Sequence, residues 1–169
     1  MEKIVVIGGV DCSPEAYQIA FEVGYQIIKS KQLLFQGGAG GVGEAALEGG
    51  LKALKETNTK PKDRLFSCLP AFRWVDPEDT SRGTIIVMGS NWGERRNLMI
   101  NHIDGAIAVS GGSGTAHEIS LCTELGKPVI PIGGEGSAET YRYEINGDLM
   151  ISDIHSPKKA VKYLLKKLK

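Results

Sequence analysis

Short apolar runs alternate with longer amphipathic stretches along the chain. Residues 3–8 (KIVVIG) are β-branched and apolar and are followed by Gly9, the pattern of a strand buried on both faces of a parallel sheet. Similar runs recur at 33–35, 65–69, 84–88, 106–109 and 129–132. Between the first two, Ser13-Pro14 supplies an N-cap and a first-turn proline. Ala16, Ile19, Ala20, Val23 and Ile27 then follow at helical spacing, which predicts a helix ending near Lys29. Further helices are predicted at 42–56, 91–102, 115–125 and 157–168. Strands alternating with helices of this length make a parallel sheet covered on both faces. Right-handed crossovers bring every strand's carboxyl end to one rim, where ligands bind. The expected fold is a three-layer Rossmann-like α/β sandwich with a mostly parallel sheet, a single domain over residues 1–169.

Composition narrows the function classes. Glycine accounts for 22 of 169 residues, roughly double the usual ~7%. The glycines cluster in a few loops, as where a backbone must approach something closely. Cys12, Cys68 and Cys122 lie far apart without a CxxC pair, so neither a disulfide framework nor a metal site is expected, and a reducing cytoplasm fits. No apolar run approaches the ~18 residues of a membrane span, and no signal-peptide pattern opens the chain. Formal net charge is zero, yet six lysines crowd residues 158–169 without an acid. The other 14 basic residues face 20 acids, a net of −6. That balance argues against nucleic acid as a partner. Residues 70–83, with Trp74, form a long connection that reads as a surface excursion or a lid.

Two glycine loops carry the candidate chemistry. Gly38-x-Gly40-x-x-Gly43 fits the dinucleotide fingerprint as a string, with Gly41 inside it. It follows the second strand, however, and no acidic residue closes a strand about 20 positions later, so no NAD site is read from it. Its glycine turn still opens a helix whose first amides would welcome an anion. Ser110-Gly111-Gly112-Ser113-Gly114-Thr115 directly follows the run 106–109 and precedes a helix, a cradle for one phosphate. The Walker lysine is absent, so triphosphate hydrolysis is not implied. Thr115-x-x-Glu118 reads as a capping box. The same carboxylate, one helical turn from a bound phosphate, could instead polarise water or stabilise an oxocarbenium-like centre. Asn91-x-x-Glu94 caps the preceding helix and puts Arg95 in its first turn, within reach of the same rim. Trp74 and Trp92 are candidate stacking partners for a base, and residues 133–136 either complete the pocket or simply turn the chain.

These residues resemble a known family. Arg95-Arg96-x-x-Met99, Ile103-Asp104-Gly105-Ala106 and Gly111-Gly112-x-Gly114-Thr115-x-x-Glu118 are similar to the signature of the Lonely Guy (LOG) family and the wider SLOG superfamily. Gly8-Gly9 with Cys12-Ser13-Pro14-Glu15 and Tyr17, and the loop 37–43, resemble the branch related to molybdenum-cofactor carriers and DprA. The resemblance implies nucleotide-type binding in a homodimer or higher homo-oligomer. LOG enzymes release base and ribose 5-phosphate from nucleoside 5′-monophosphates, and by position Arg95 and Glu118 would be catalytic and Met99 a pocket residue. Some members carry the label lysine decarboxylase, which no rim lysine supports here, Lys127 preceding a strand at the other end. The chain departs from LOG enzymes at Ser110 for proline, His117 for an acid and Arg96 for lysine.

Two readings follow. One is a protein that binds a nucleotide or phosphorylated cofactor, such as a pterin, without turning it over. The other is a phosphoribohydrolase using Arg95 and Glu118. Both bring the phosphate to loop 111–115, and neither calls for a resident cofactor or metal, nucleic acid or membrane.

Overall fold

Side chains of the first strand alternate between two separate cores. In β1 (Lys3–Gly8), Ile4 and Val6 pack into one buried cluster and Val5 and Ile7 into another, as a pleat with a two-residue period requires. The computed structural model describes residues 1–73, 78–144 and 156–169. Its strands β2 (Leu33–Gln36), β3 (Leu65–Leu69), β4 (Thr84–Val87), β5 (Gly105–Val109) and β6 (Val129–Ile132) join β1 in one sheet. Strand order is β4-β3-β2-β1-β5-β6, and every pairing is parallel.

Helices α1 (Pro14–Lys29), α2 (Gly41–Glu56) and α6 (Pro157–Lys167) bury residues against the Ile4 and Val6 face. Helices α3 (Trp92–His102), α4 (Ser113–Glu124) and α5 (Gly136–Glu144) cover the Val5 and Ile7 face. The molecule is therefore a three-layer Rossmann-like α/β sandwich. The expected strands stand within one residue of their places. Two helical differences bear on function: α4 starts at Ser113 rather than 115, and α5 was not anticipated. The six lysines near the carboxyl end all lie on solvent-exposed positions, while Ala160, Val161 and Leu164 of α6 are buried. No helix among the described residues is long and apolar enough to cross a membrane.

Burial also sets the chemistry of the thiols. Cys68 and Cys122 are enclosed in the core, and loss of solvent pushes each up to about 12. Cys12 is half-buried, and burial with the charges of Glu135 and Asp11 raises it as well. At pH 8 a thiol reagent should therefore label native protein slowly and at Cys12 alone. Full labelling of all three in denaturant provides the comparison. Rapid native labelling of Cys68 or Cys122 would show that the core opens readily.

Candidate functional site

In this strand order the chain crosses the sheet outward from β1 in one direction and then, through β5, in the other. That reversal leaves a crevice between the carboxyl ends of β1 and β5. Loops after β1, β2 and β5 meet there around a cleft of about 390 Å³, with Arg95, Arg96, Met99 and Glu118 in its wall. Close approach of the loops depends on glycine. A Cβ on Gly8 would stand 2.2 Å from the Val109 carbonyl oxygen. Gly41, at φ +53°, would collide in the same way with the carbonyl oxygens of Gly9 and Val10.

The loop after β5 is held from behind. Ser137 and Ala138, at the start of α5, donate their amides to the carbonyls of Gly111 (2.8 Å) and Ser110 (3.1 Å), and the Ser137 hydroxyl donates to Gly112 (2.7 Å). These bonds use the loop's acceptors and carry the chain into helix two residues early, through glycines that would otherwise resist it. The N-cap is Gly112, and it provides no side-chain acceptor. The first amides of α4, on Ser113, Gly114 and Thr115, thus have no acceptor among the described residues. Thr115 is 4% exposed and its hydroxyl is likewise unpartnered there. By contrast, α1 and α3 are capped by the Ser13 hydroxyl and the Asn91 side chain.

The expected capping box between Thr115 and Glu118 does not form. Because the helix begins at Ser113, Glu118 lies beyond its first turn and reaches α3 instead, where its Oε1 accepts from Arg95 Nη1 at 3.2 Å. Asn91 caps α3 as expected by accepting from the Glu94 amide (2.9 Å), while Glu94 accepts from the Ser90 amide and hydroxyl. This cap fixes the turn that carries Arg95. Arg95 and Glu118 are each 6% exposed. Arg95 uses only Nη1 among the described residues, toward Glu118 and the Met99 sulfur (3.6 Å). Arg96 Nε lies 4.0 Å from the same carboxylate oxygen. Both Nε atoms are buried without a hydrogen-bond partner.

Burial raises the Glu118 carboxyl, against the pull of Arg95 and Arg96, and lowers Arg95 despite Glu118. Desolvation therefore costs both charges more than their pairing returns. Further anionic contact with the unpaired guanidinium donors would offset that cost.

Gly8, Gly9, Gly38, Gly40, Gly112, Ser113, Gly114, Thr115, Arg95, Met99 and Glu118 all line the one cleft, so the structure brings most of the sequence candidates together. Gly41 and Gly111 stand behind the lining as turn residues, Gly111 at φ +103° packed against Thr115. Sequence reasoning missed Gly37 and underrated Arg96, whose Nη2 would lie 3.1 Å from a Cβ on Gly114. Trp92 is not among the residues lining the cleft; its ring covers the Arg95 guanidinium at 5.2 Å and meets Phe72 edge-on. Trp74 lies outside the described residues. Lys127 donates to the Ile100, Asn101 and Ile103 carbonyls at the end of α3, and His117 is exposed. Among the described residues no group of three His, Cys, Asp or Glu side chains could hold a metal ion.

A family model described as LDcluster4, SLOG cluster4 family, matches residues 1–161. An uncharacterized protein of Archaeoglobus fulgidus is 34% identical over 132 residues, covering 77% of this chain and 79% of that protein. The molybdenum cofactor carrier protein of Chlamydomonas reinhardtii has a similar structure, with 26% identity, a TM-score of 0.71 and coverage of 99% of this chain and 98% of that one. DNA processing protein A of Helicobacter pylori, described by its single-stranded DNA binding mode, shares the fold at 18% identity and a TM-score of 0.69, over 98% of this chain and 80% of that one. This last likeness corrects the exclusion of nucleic acid drawn from charge balance. A fold that meets phosphate with backbone amides and a few local guanidinium groups does not need a basic surface overall, so net charge is no ground for exclusion.

Proposed function

The chain belongs to the SLOG cluster4 family, and from that premise we propose that it binds a phosphorylated small molecule, a nucleotide or a phosphorylated pterin-type cofactor, by its phosphate. The phosphate rests on the amides of Ser113, Gly114 and Thr115, with Arg96 beside it. The observation that carries this reading is the uncapped start of α4 with the Arg96 guanidinium beside it, its Nη2 3.1 Å from a Cβ on Gly114. An N-terminus without a side-chain cap, opening into a cleft where two guanidinium groups share one carboxylate, is a ready anion seat. The cleft's described lining offers amides, two guanidinium groups and the carboxylates of Asp11 and Glu118, the latter paired with the arginines, rather than thiol or imidazole ligands. A metal-bearing cofactor would therefore be held here through its phosphate.

Hydrolysis of a nucleoside 5′-monophosphate is the second reading. It is favoured by one detail: Glu118 Oε2 has no partner among the described residues and the residue lines the cleft. In that reaction Glu118 would activate water while Arg95 steadies developing charge, and the products would be the free base and ribose 5-phosphate.

Adenosine 5′-monophosphate and adenosine separate binding from non-binding, and Glu118→Gln separates binding from hydrolysis. Glutamine's carbonyl still accepts from Arg95, while one negative charge leaves the cleft. The monophosphate, at ~100 times its Kd, should stabilise the wild type by ~2.7 kcal/mol, with adenosine giving no shift. A binding protein keeps or tightens its affinity in Glu118→Gln. A hydrolase loses ribose 5-phosphate release in that variant by a factor of ~100 or more. Equal stabilisation by adenosine and its monophosphate would reject the phosphate seat.

A further inference from the structure

We propose that the cleft seats two anionic groups at once, so that its ligand is a bis-anionic small molecule. The inference rests on the phosphate seat at α4 and adds a second seat at the start of α2.

Helix α2 begins like α4. Its N-cap is Gly40, at φ +97°, with no side-chain acceptor. Two amides of the surrounding loop are engaged: Val42 donates to the Gly9 carbonyl (3.0 Å) and Gly38 to the Gln36 side chain. Those of Ala39, Gly40 and Gly43 have no acceptor among the described residues, and all three residues line the cleft. Alone this would be one more bare helix start. The arginines supply the independent observation.

A Cβ on Gly37 would lie 2.5 Å from Arg95 Nη1 and 3.1 Å from Nη2, so the Arg95 guanidinium lies against the loop that enters α2. Arg96 lies against Gly114 at the start of α4. Each bare helix start therefore has its own arginine, and each arginine has a buried Nε without a hydrogen-bond partner. Glu118 stands between them, 3.2 Å from Arg95 Nη1 and 4.0 Å from Arg96 Nε, as one counter-ion for two cations. Asp11, the other acid of the lining, is exposed to solvent. One phosphoryl group at α4 leaves Arg95 Nη2 and the α2 amides unmatched. A second phosphate or carboxylate on the same molecule matches them.

The full chain is titrated calorimetrically with linear alkanediol bisphosphates of increasing length and with the matching alkyl monophosphates. One spacer length should bind ~10-fold or more tighter than its monophosphate, with a steeper salt dependence. Arg95→Met should abolish that preference, so that bisphosphates of every length bind no tighter than their monophosphates. Ala39→Asp, which sets a carboxylate at the α2 entrance, should do the same if Arg95→Met does not fold. Equal affinity for monophosphates and bisphosphates at every length overturns the second seat and leaves the first intact. Failure of every phosphate to bind overturns both.

Discussion

Replacing Gly112 with aspartate should stabilise the protein and abolish its hold on phosphate. Gly112 is the N-cap of α4, at φ −112° and ψ −151°, extended backbone open to any residue. A Cβ there meets nothing within 4 Å. An aspartate carboxylate at this position accepts from the unpartnered amides of the first turn, adds favourable charge at the helix start and reduces the freedom of the unfolded chain. The combined gain is on the order of 1 kcal/mol, or roughly 2–4 °C in Tm for a chain of this size. The same carboxylate occupies the phosphate's donors and repels its charge. Losing two charge-assisted hydrogen bonds of ~1.5 kcal/mol or more each lowers affinity by at least ~100-fold. Thermal denaturation and calorimetry with adenosine 5′-monophosphate read the two effects. Gly112→Asn, a cap without charge, should gain similar stability with a smaller loss of affinity. A Gly112→Asp protein with unchanged affinity would mean that phosphate does not use these amides. Opposite signs for stability and binding would show that glycine at this cap serves the ligand.

Much of this site was legible in the sequence because the parallel sheet places all the loops after its strands on one rim. Runs such as 65–69 and 129–132 mark strands without ambiguity, and glycines directly after a strand mark where the backbone must turn sharply at that rim. The pairing of Arg95 with Glu118 was not legible, since it depends on how α3 and α4 pack. Local sequence gave Glu118 a cap to fold onto, and only the early start of α4 removes that option. That early start depends on α5, whose sequence GSAETYRYE lacks a regular apolar stripe and opens with glycine. Its place is set by hydrogen bonds from Ser137 and Ala138 to the loop it supports, a long-range effect invisible to local pattern. Arg96 was underrated for a related reason: adjacent arginines on a helix are usually solvated, and its role depends on the proximity of Gly114.

The second large effect is expected at Gly49, which does not line the cleft but lies on α2, the helix whose start does. A Cβ on Gly49 would stand 1.8 Å from the Phe21 carbonyl oxygen, and one on Gly24 would stand 1.9 Å from that of Ala46. Helices α1 and α2 therefore touch backbone to backbone, and a side chain at either glycine must push them apart. Gly49→Val should cost about 3 kcal/mol or more, because overpacking here displaces main chain rather than a flexible side chain. At roughly 2–4 °C per kcal/mol, its Tm should fall by about 6–12 °C. Gly49→Ala suffers the same clash but regains ~1 kcal/mol of helix propensity, so it should lose less. Gly134→Ala, at a position where a Cβ meets nothing within 4 Å, should stay within ~0.5 kcal/mol of wild type. Urea denaturation orders the three variants, and a Gly49→Val protein as stable as Gly134→Ala would show that the helices are not in backbone contact. Displacement of α2 also moves Ala39, Gly40 and Gly43, which line the cleft, while α4 keeps its support from α5 on the opposite face of the sheet. The surviving fold of Gly49→Val should therefore lose its preference for bisphosphates before it loses monophosphates.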